Sequence, residues 1–351
     1  MPTTLRPWTQ LTTGRPTALE QPVAAERVAQ ELARLLRCER AVLAPSTLHL
    51  YLDLFYMLAS DHIAIYADAG SYPIARWGIE RVAAKGVRTA TFRMHDPAAL
   101  EFVLRQDRGA EYRPVVVSDG VYPGTGRTAP LADYLTLIRE RSGYLVVDDT
   151  QALGILGEDP EQDAPYGRGG GGTPAWQGIE APELIIGSSL AKGLGVPLAV
   201  IAGNARVISK FEDRSATRIH CSPPSFAVIS ATQQALAIND AQGDYLRSRL
   251  AKLVWHFKDG LRQIGLLAWG GLFPVQTLRA ISGVDPELLY RSLLSFGVRA
   301  ALHRTQNAPY AALSFLITTL HTRSDIDRCM DALQQTCALV RHEYEQEALT
   351  R

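Results

Sequence analysis

Short apolar runs alternate with amphipathic segments along the first part of the chain. Residues 144–147, YLVV, follow Gly143 and end in two acids, a pattern typical of a strand buried on both faces. Similar runs predict strands at 40–46, 62–66, 87–93, 114–118 and 184–186. The segments between them have helical periodicity, beginning with 23–37. This alternation predicts a mostly parallel central sheet flanked by helices, with right-handed crossovers.

The last part of the chain has a different pattern. It predicts two long helices, over 225–241 and 245–261. Short strands in LLAWG, FPVQTLRA and ALSFLIT then alternate with helices at 285–296 and 325–345. Short strands mixed with helices indicate a smaller α+β domain.

The length of 351 residues suits a large domain and a smaller one. We predict an N-terminal arm and helix over 1–40, a large domain over 41–240 and a small domain over 241–351. The 36 basic and 36 acidic residues cancel, so neither nucleic acid nor an anionic membrane is expected as a partner. No signal core and no apolar window of about 18 residues is present. Four scattered cysteines without zinc-ligand spacing favour a cytoplasmic protein and no metal site.

Two residues stand out as candidates for chemistry. Asp148 ends the 144–147 strand, and ligands of open α/β sheets bind at the carboxyl ends of strands. The run at 184–186 leads to Lys192, whose small and apolar neighbours would disfavour its ammonium form. Pyridoxal 5'-phosphate needs a lysine for its Schiff base and a carboxylate that keeps its pyridine nitrogen protonated. The pair therefore predicts a site for that cofactor.

Several segments resemble elements of the α-oxoamine synthases and related class II aminotransferases. VDDTQALGILG (147–157) is similar to their VDDAHATGVLG element, and GSSLAKGLG (187–195) is similar to GTLSKALG. The similarity continues in 119–131, 222–236 and 320–333. It implies a fold type I pyridoxal-phosphate transferase, with a mostly parallel sheet flanked by helices and a smaller α+β C-terminal domain. It also implies a homodimer with active sites at the interface.

The resemblance implies roles for individual residues. Asp148 would pair with the pyridinium nitrogen, and Lys192 would hold the cofactor aldehyde and later act as general base. Gln151 lies where the family has a histidine that bonds the phenolic oxygen, and Ser189 lies at the place of a phosphate-contacting hydroxyl. Tyr72 takes the place of the histidine that stacks on the ring, or else is an ordinary turn residue.

Three features bear on the phosphate. Ser46 and Thr47 stand at the start of a predicted helix, where free amides favour a phosphate, although a simple N-cap explains the same residues. The resemblance places the family's phosphate-binding turn there. It also suggests that Ser222 reaches the phosphate in the neighbouring subunit, with His220 as the competing candidate. The glycine-rich run 167–172 lacks the Walker lysine and the dinucleotide spacing, and it is interpreted as a mobile loop over the site.

The segment expected to bind the substrate carboxylate differs from that of the family. An arginine in an RLRIS-like string binds the substrate carboxylate in the family, but the matching stretch here, 310–318, contains no arginine. One possibility is that Arg304 or Arg299 takes that role. The other is that both are ordinary surface residues and that the substrate presents no α-carboxylate at this place. The resemblance implies a transferase that acts at the Cα of an amino substrate and accepts an acyl group from an acyl thioester. An aminotransferase with an unusual amine donor or acceptor is the alternative, and a non-catalytic relative is the third.

Overall fold

The structure of the protein, a computed structural model, describes residues 11–107, 111–304 and 311–349, of which 304 and 340–349 are described by their backbone alone. Contacts divide the chain into two units. The large unit contains the described residues up to Val121, together with Thr128–Glu161 and Tyr166–Asp244. The small unit contains Tyr122–Arg127, Gln162–Pro165 and the chain from Tyr245 onward.

A seven-stranded sheet forms the centre of the large unit. Its strands are β1 (Arg40–Ala44), β2 (Ile63–Asp68), β3 (Arg88–Phe92), β4 (Arg113–Asp119), β7 (Tyr144–Asp148), β8 (Leu184–Ser189) and β9 (Ala199–Gly203), and the short β5 (Val121–Tyr122) and β6 (Arg127–Thr128) pair separately. The strand order is β1-β9-β8-β7-β4-β2-β3. Strand β9 runs antiparallel to both neighbours, and the remaining pairs are parallel. The predicted mostly parallel sheet is confirmed.

The helices flank this sheet. They are α1 (Val23–Leu35), α2 (Thr47–Leu58), α3 (Pro73–Ala83), α4 (Pro97–Gln106), α5 (Leu131–Arg139), α6 (Thr173–Trp176), α7 (Ala205–Arg214), α8 (Ala216–His220) and α9 (Phe226–Gln263), with a 3-10 turn at Ala59–Asp61. Helix α9 contributes residues to both units. The prediction of two helices over this stretch is wrong. The glycine between the two predicted helices, Gly243, lowers helix stability by only about 1 kcal/mol, which does not interrupt a helix of 38 residues.

Alternate residues of the central strand β7 face opposite layers of helices. Tyr144 and Val146 belong to the core that contains residues of α2 and α3. Leu145 and Val147 belong to the core that contains residues of α1 and α5. All four side chains are buried, which confirms that this strand is covered on both faces. The same alternation directs Asp148 to the α2 side of the sheet.

The described part of the N-terminal arm is bound to its own chain. The Thr17 amide donates to the Cys221 carbonyl at 2.9 Å, and the Phe226 amide donates to the Leu11 carbonyl at 2.8 Å. These bonds hold residues of the arm beside the segment that leads into α9.

The small unit contains a four-stranded antiparallel sheet. Its elements are β10 (Ala268–Trp269), β11 (Val275–Leu278), β12 (Ala301–Arg304) and β13 (Ala311–Leu316), in the order β10-β11-β13-β12, with α10 (Pro286–Ser295) and α11 (Arg323–Leu349). This composition confirms the predicted α+β character. Among the helices of the described residues, none has the length and apolar character that a bilayer crossing needs.

Candidate active site

A cleft of about 180 Å³ opens at the carboxyl ends of β4, β7 and β8. It is lined by Thr47, Tyr72, Ile74, Asp119, Asp148, Thr150, Gln151, Ser189, Ala191 and Lys192. Six of the residues singled out in the sequence are therefore brought together: Thr47, Tyr72, Asp148, Gln151, Ser189 and Lys192. They come from the ends of two strands, from the turns that follow them and from the starts of two helices, since parallel strands present their carboxyl ends at one edge.

Asp148 is a buried carboxylate held by several donors. The Thr150 amide donates to Asp148 Oδ1 at 3.0 Å. Burial raises the pKa of the Asp148 carboxyl above its usual value, and the neighbouring Thr150, Tyr51 and Lys192 limit this rise. The Tyr51 hydroxyl lies close enough to contribute, and it donates to the Gly187 carbonyl at 3.5 Å. Tyr51 lies in α2 and is itself fully buried. These neighbours favour the charged form of the buried Asp148 carboxyl.

Lys192 provides a cation close to two carboxylates. Desolvation lowers the pKa of its ammonium group, and the charges of Asp148 and Asp119 oppose that shift. The lowered pKa agrees with the direction expected from the sequence. In the single chain much of the Lys192 side chain is still exposed, so its desolvation is partial. An amine in this setting is available both as a nucleophile and as a base.

Tyr72 forms one wall of the cleft. It precedes the first residue of α3, and its amide donates to Asp119 Oδ1 at 3.0 Å. The ammonium nitrogen of Lys192 lies 5.7 Å from the centroid of the Tyr72 ring. About half of the tyrosine surface, 49%, is exposed, as expected for a ring that faces an open cleft. Tyr72 therefore both stands in the turn before Pro73 and lines the cleft, and its stacking on a cofactor ring stays a prediction.

The start of helix α2 is free of a side-chain cap. Ser46 occupies the N-cap position, but its side chain makes no capping bond to the helix amides. Its hydroxyl is instead 2.8 Å from His49 Nδ1. The simple N-cap interpretation is therefore wrong for Ser46. Since Thr47 lines the cleft, the first turn of α2 presents backbone donors next to a residue of the site.

The glycine-rich run is packed under the site and is not part of its lining. Gly170, Gly171 and Gly172 are buried, and the Gly170 carbonyl accepts a bond from the Gly154 amide at 2.8 Å. The run contains none of the residues that line the cleft. The interpretation as a mobile loop over the site is therefore not supported, because the run supports the turn that follows Asp148.

Asp149 anchors this packing. It is fully buried, and its Oδ2 accepts a bond from the Thr173 amide at 2.9 Å. A β-carbon at Gly172 would lie 1.8 Å from Oδ2, and one at Gly120 would lie 2.1 Å from Oδ1. Only glycine leaves room for the carboxyl at these two places. Burial raises the pKa of Asp149 to about 7.

Four predicted residues, Ser46, His220, Ser222 and Arg299, are not among those that line the cleft. Ser222 and His220 are exposed in the single chain and do not line the cleft, so a role at a neighbouring subunit's site stays a prediction. Arg299 is an exposed residue of the small unit. The side chain of Arg304 lies outside the described part of the chain.

Thr150 and Tyr51 are the site residues that sequence reasoning missed. Thr150 lines the cleft, although the family element resembled by 147–157 has alanine at its position. Tyr51 appears in the sequence only as one apolar position of a core helix. A signal existed for Thr150, since a hydroxyl two residues after a strand-end aspartate is placed to form a local hydrogen bond.

Comparison with known proteins identifies the family to which the chain belongs. The sequence profile for aminotransferase class I and II matches residues 9–333. The chain belongs to this aminotransferase family. An 8-amino-7-oxononanoate synthase of Nitrosococcus oceani is 29% identical over 255 residues, which are 71% of this chain and 64% of that enzyme. The match thus spans less than two thirds of that relative's length. A synthase of the same name from Marinobacter nauticus is 26% identical over 89% of this chain and 76% of its own length.

Solved structures show the family fold. The serine palmitoyltransferase of Sphingomonas wittichii superposes with a TM-score of 0.82 at 17% identity, over 95% of this chain and 81% of that one. The 8-amino-7-oxononanoate synthase of Francisella tularensis superposes with a TM-score of 0.72 at 18% identity, over 93% of this chain and 89% of that one. The predicted fold type I architecture is therefore confirmed for this aminotransferase-family chain.

Proposed function

We propose that the chain binds pyridoxal 5'-phosphate at the cleft and is a transferase acting at the Cα of an amino substrate. One observation carries the proposal: Asp148 and Lys192 meet in a single cleft beside the Tyr72 ring. The residues present fit the cofactor. The buried carboxylate of Asp148 calls for a cationic partner, and the pyridinium N–H is one.

The phosphate end of the cofactor also has suitable partners. The uncapped first turn of α2 and the hydroxyl groups of Thr47 and Ser189 are donors of the kind that bind phosphate. When bound, pyridoxal phosphate withdraws electrons from the substrate Cα through its protonated ring. Asp148 holds the proton at the ring nitrogen, and Tyr72 supports one ring face. Lys192 holds the cofactor aldehyde and then moves a proton at the substrate Cα.

The reaction that we favour is an α-oxoamine synthase-type condensation, in which the substrate Cα gains an acyl group from an acyl thioester. Support comes from the aligned relatives, which bear the name 8-amino-7-oxononanoate synthase. Lys192 suits this reaction because its lowered pKa leaves more neutral amine as a base near neutral pH. Gln151 replaces a histidine of the family element and can donate a hydrogen bond without titrating near neutral pH.

Transamination is the second candidate, and one observation favours it. No arginine occurs in 310–318, where the resemblance places the carboxylate-binding group. An amine donor or acceptor without an α-carboxylate at that place would not need one.

Cofactor binding is tested with purified protein and added pyridoxal phosphate. We expect visible absorbance that borohydride discharges, with the reduced adduct located on Lys192 by peptide mass spectrometry. The Lys192→Ala variant should remain colourless, whereas Lys252→Ala, at an exposed lysine of α9, should behave like the wild type. A wild-type protein that stays colourless and unlabelled would overturn the proposal.

The reaction is tested with a panel of amino acids, with and without acyl thioesters. Condensation predicts release of the free thiol only when both substrates are present. Transamination predicts a keto product and aminated cofactor with the amino substrate alone. Cofactor binding without proton exchange at Cα for any substrate would favour the non-catalytic relative.

Assembly and location belong to the same proposal. We expect a homodimer in which Ser222 or His220 approaches the partner's cofactor phosphate, and a cytoplasmic location, as the scattered cysteines suit a reducing compartment. Light scattering coupled to gel filtration tests the dimer, and a monomer that binds the cofactor with full affinity would exclude it. Fractionation of the producing cells tests the location, and recovery in a secreted or membrane fraction would exclude it.

A further inference from the structure

Thr150 connects the two strand ends that carry the proposed catalytic residues. Its hydroxyl oxygen accepts a hydrogen bond from the Ser189 amide at 2.9 Å. Its own amide donates to Asp148 Oδ1 at 3.0 Å. Ser189 ends β8 and lies three residues before Lys192, whereas Asp148 ends β7. One residue therefore links the Asp148 carboxylate to the segment that holds Lys192.

In the contact with Ser189, the Thr150 hydroxyl acts as the hydrogen-bond acceptor. A threonine hydroxyl has one proton, and its oxygen can accept bonds from other donors. Because the oxygen of Thr150 accepts the Ser189 N–H, its proton remains available for an acceptor. The contact with Asp148 that the structure shows comes from the Thr150 amide, and the Thr150 side chain adds to the influences that lower the pKa of Asp148.

Acidic groups, a cation and hydroxyl groups surround the Asp148 carboxylate. Asp119, across from it on β4, and Asp149, next to it on the chain, are acidic groups. Lys192 is the nearby cation, and Tyr51 contributes a second hydroxyl from α2. A buried carboxylate between two acids depends on its donors to stay charged.

We propose that Thr150 is a positioning residue. Its hydroxyl accepts the Ser189 N–H and so fixes the segment that leads to Lys192 relative to the turn whose amide holds the Asp148 carboxylate. The inference rests on the proposed function for its effect on the cofactor. Alanine occupies this position in the element VDDAHATGVLG that 147–157 resembles, so the resemblance does not supply this link.

The test compares Thr150→Val with Thr150→Ser. Valine has nearly the same shape but no hydroxyl, and serine keeps the hydroxyl. In cofactor-free protein we expect the Ser189 amide to exchange with solvent at least about tenfold faster in the valine variant, with the serine variant close to wild type. The dissociation constant for pyridoxal phosphate should rise about tenfold in Thr150→Val and stay within about twofold of the wild-type value in Thr150→Ser.

The two readouts separate failure of this inference from failure of the proposed function. If the wild type binds pyridoxal phosphate and valine and serine behave alike in both measurements, the role of Thr150 is refuted. If the wild type binds no cofactor, the proposed function fails, and amide exchange alone decides whether Thr150 links the strands. Circular dichroism of each variant identifies misfolding, and Thr150→Ala, which should resemble valine, excludes an effect of the methyl group.

Discussion

Asp119 and Asp148 are register partners on the parallel strands β4 and β7, and both carboxyls are buried. Burial raises the pKa of Asp119 well above its usual range, and the charge of Asp148 raises it further. Asp148 has more donors, from Thr150 and Tyr51. We infer that Asp148 is the ionised member of the pair, and that Asp119 gives up its proton only at higher pH.

Replacing Asp148 by asparagine should reduce turnover on the order of 100-fold or more, because the preorganised negative charge at the ring nitrogen is lost. Asparagine has the same shape, so the fold should be kept. Turnover and far-UV circular dichroism check this prediction. Asp133→Asn, at an exposed aspartate of α5, is the matched control and should keep wild-type turnover. Equal turnover in both variants would contradict the role of Asp148.

Asp119 should matter mainly as the acceptor for the Tyr72 amide. Asparagine at 119 keeps an oxygen at the position of Oδ1, whereas alanine does not. We expect the dissociation constant for pyridoxal phosphate to change by less than about threefold in Asp119→Asn and to rise about tenfold in Asp119→Ala. If both variants lose affinity equally, the charge of Asp119 is required and the anchoring role is wrong.

The sequence predicted six of the seven strands of the sheet, all but β9, and the edge where the site lies. The run 144–147 is apolar at every position, so both faces had to be covered, and the structure covers both. Strands buried in this way are typical of parallel sheets, although β9 is buried and antiparallel. The parallel strands β4, β7 and β8 present their last residues at one edge. This arrangement brings Asp148 and Lys192 into one cleft.

Side-chain partners were beyond the sequence, because they depend on residues distant along the chain. Ser46 has the composition of an N-cap, yet its hydroxyl faces His49. The glycine-rich run has the composition of a flexible loop. The buried carboxyl of Asp149 nevertheless packs against it, in the space that a side chain at Gly172 would fill. Local composition gives the conformations that are permitted, and tertiary contacts select among them.

The Tyr72 ring should contribute to cofactor affinity through its face. Tyr72→Phe keeps the aromatic face, so the dissociation constant for pyridoxal phosphate should stay within about twofold. Tyr72→Ala should raise it by about 2- to 10-fold, since aromatic stacking is worth about 0.5–1.5 kcal/mol. Absorbance titration measures both values. A larger loss in the phenylalanine variant than in the alanine variant would show that the hydroxyl, not the ring, is required.

Two glycines of the glycine-rich run 167–172 allow a matched test of how tightly this run is packed. Gly169 and Gly172 both have positive φ angles, 78° and 91°. A β-carbon at Gly169 meets no atom within 4 Å, whereas one at Gly172 lies 1.8 Å from Asp149 Oδ2. Gly169→Ala should therefore lower the free energy of unfolding by about 1–2 kcal/mol from backbone strain alone. Gly172→Ala should lower it by clearly more, and equal losses in urea unfolding would contradict tight packing at Gly172.

Asp149 should make the stability of the cofactor-free protein depend on pH. Its pKa is about 7 in the folded chain, and an unfolded aspartate has a pKa of about 3.9, so the folded state binds the extra proton between these values. The free energy of unfolding should then decrease as the pH rises from about 4 to about 7, by up to about 4 kcal/mol, and this contribution should be constant above that range. The decrease arises because a charged, desolvated carboxylate must be held between Gly120 and Gly172.

Asp149→Asn isolates this contribution from those of other titrating groups. The amide cannot ionise, and its oxygen can still accept the Thr173 N–H. The wild-type value minus the variant value, from urea unfolding at each pH, should fall between pH 4 and 7 and then level off. Asp213→Asn, at an exposed aspartate of α7, should give a difference with no such fall. A difference for Asp149→Asn that rises with pH would mean that the folded chain favours the carboxylate, since only a pKa lowered by folding produces that sign.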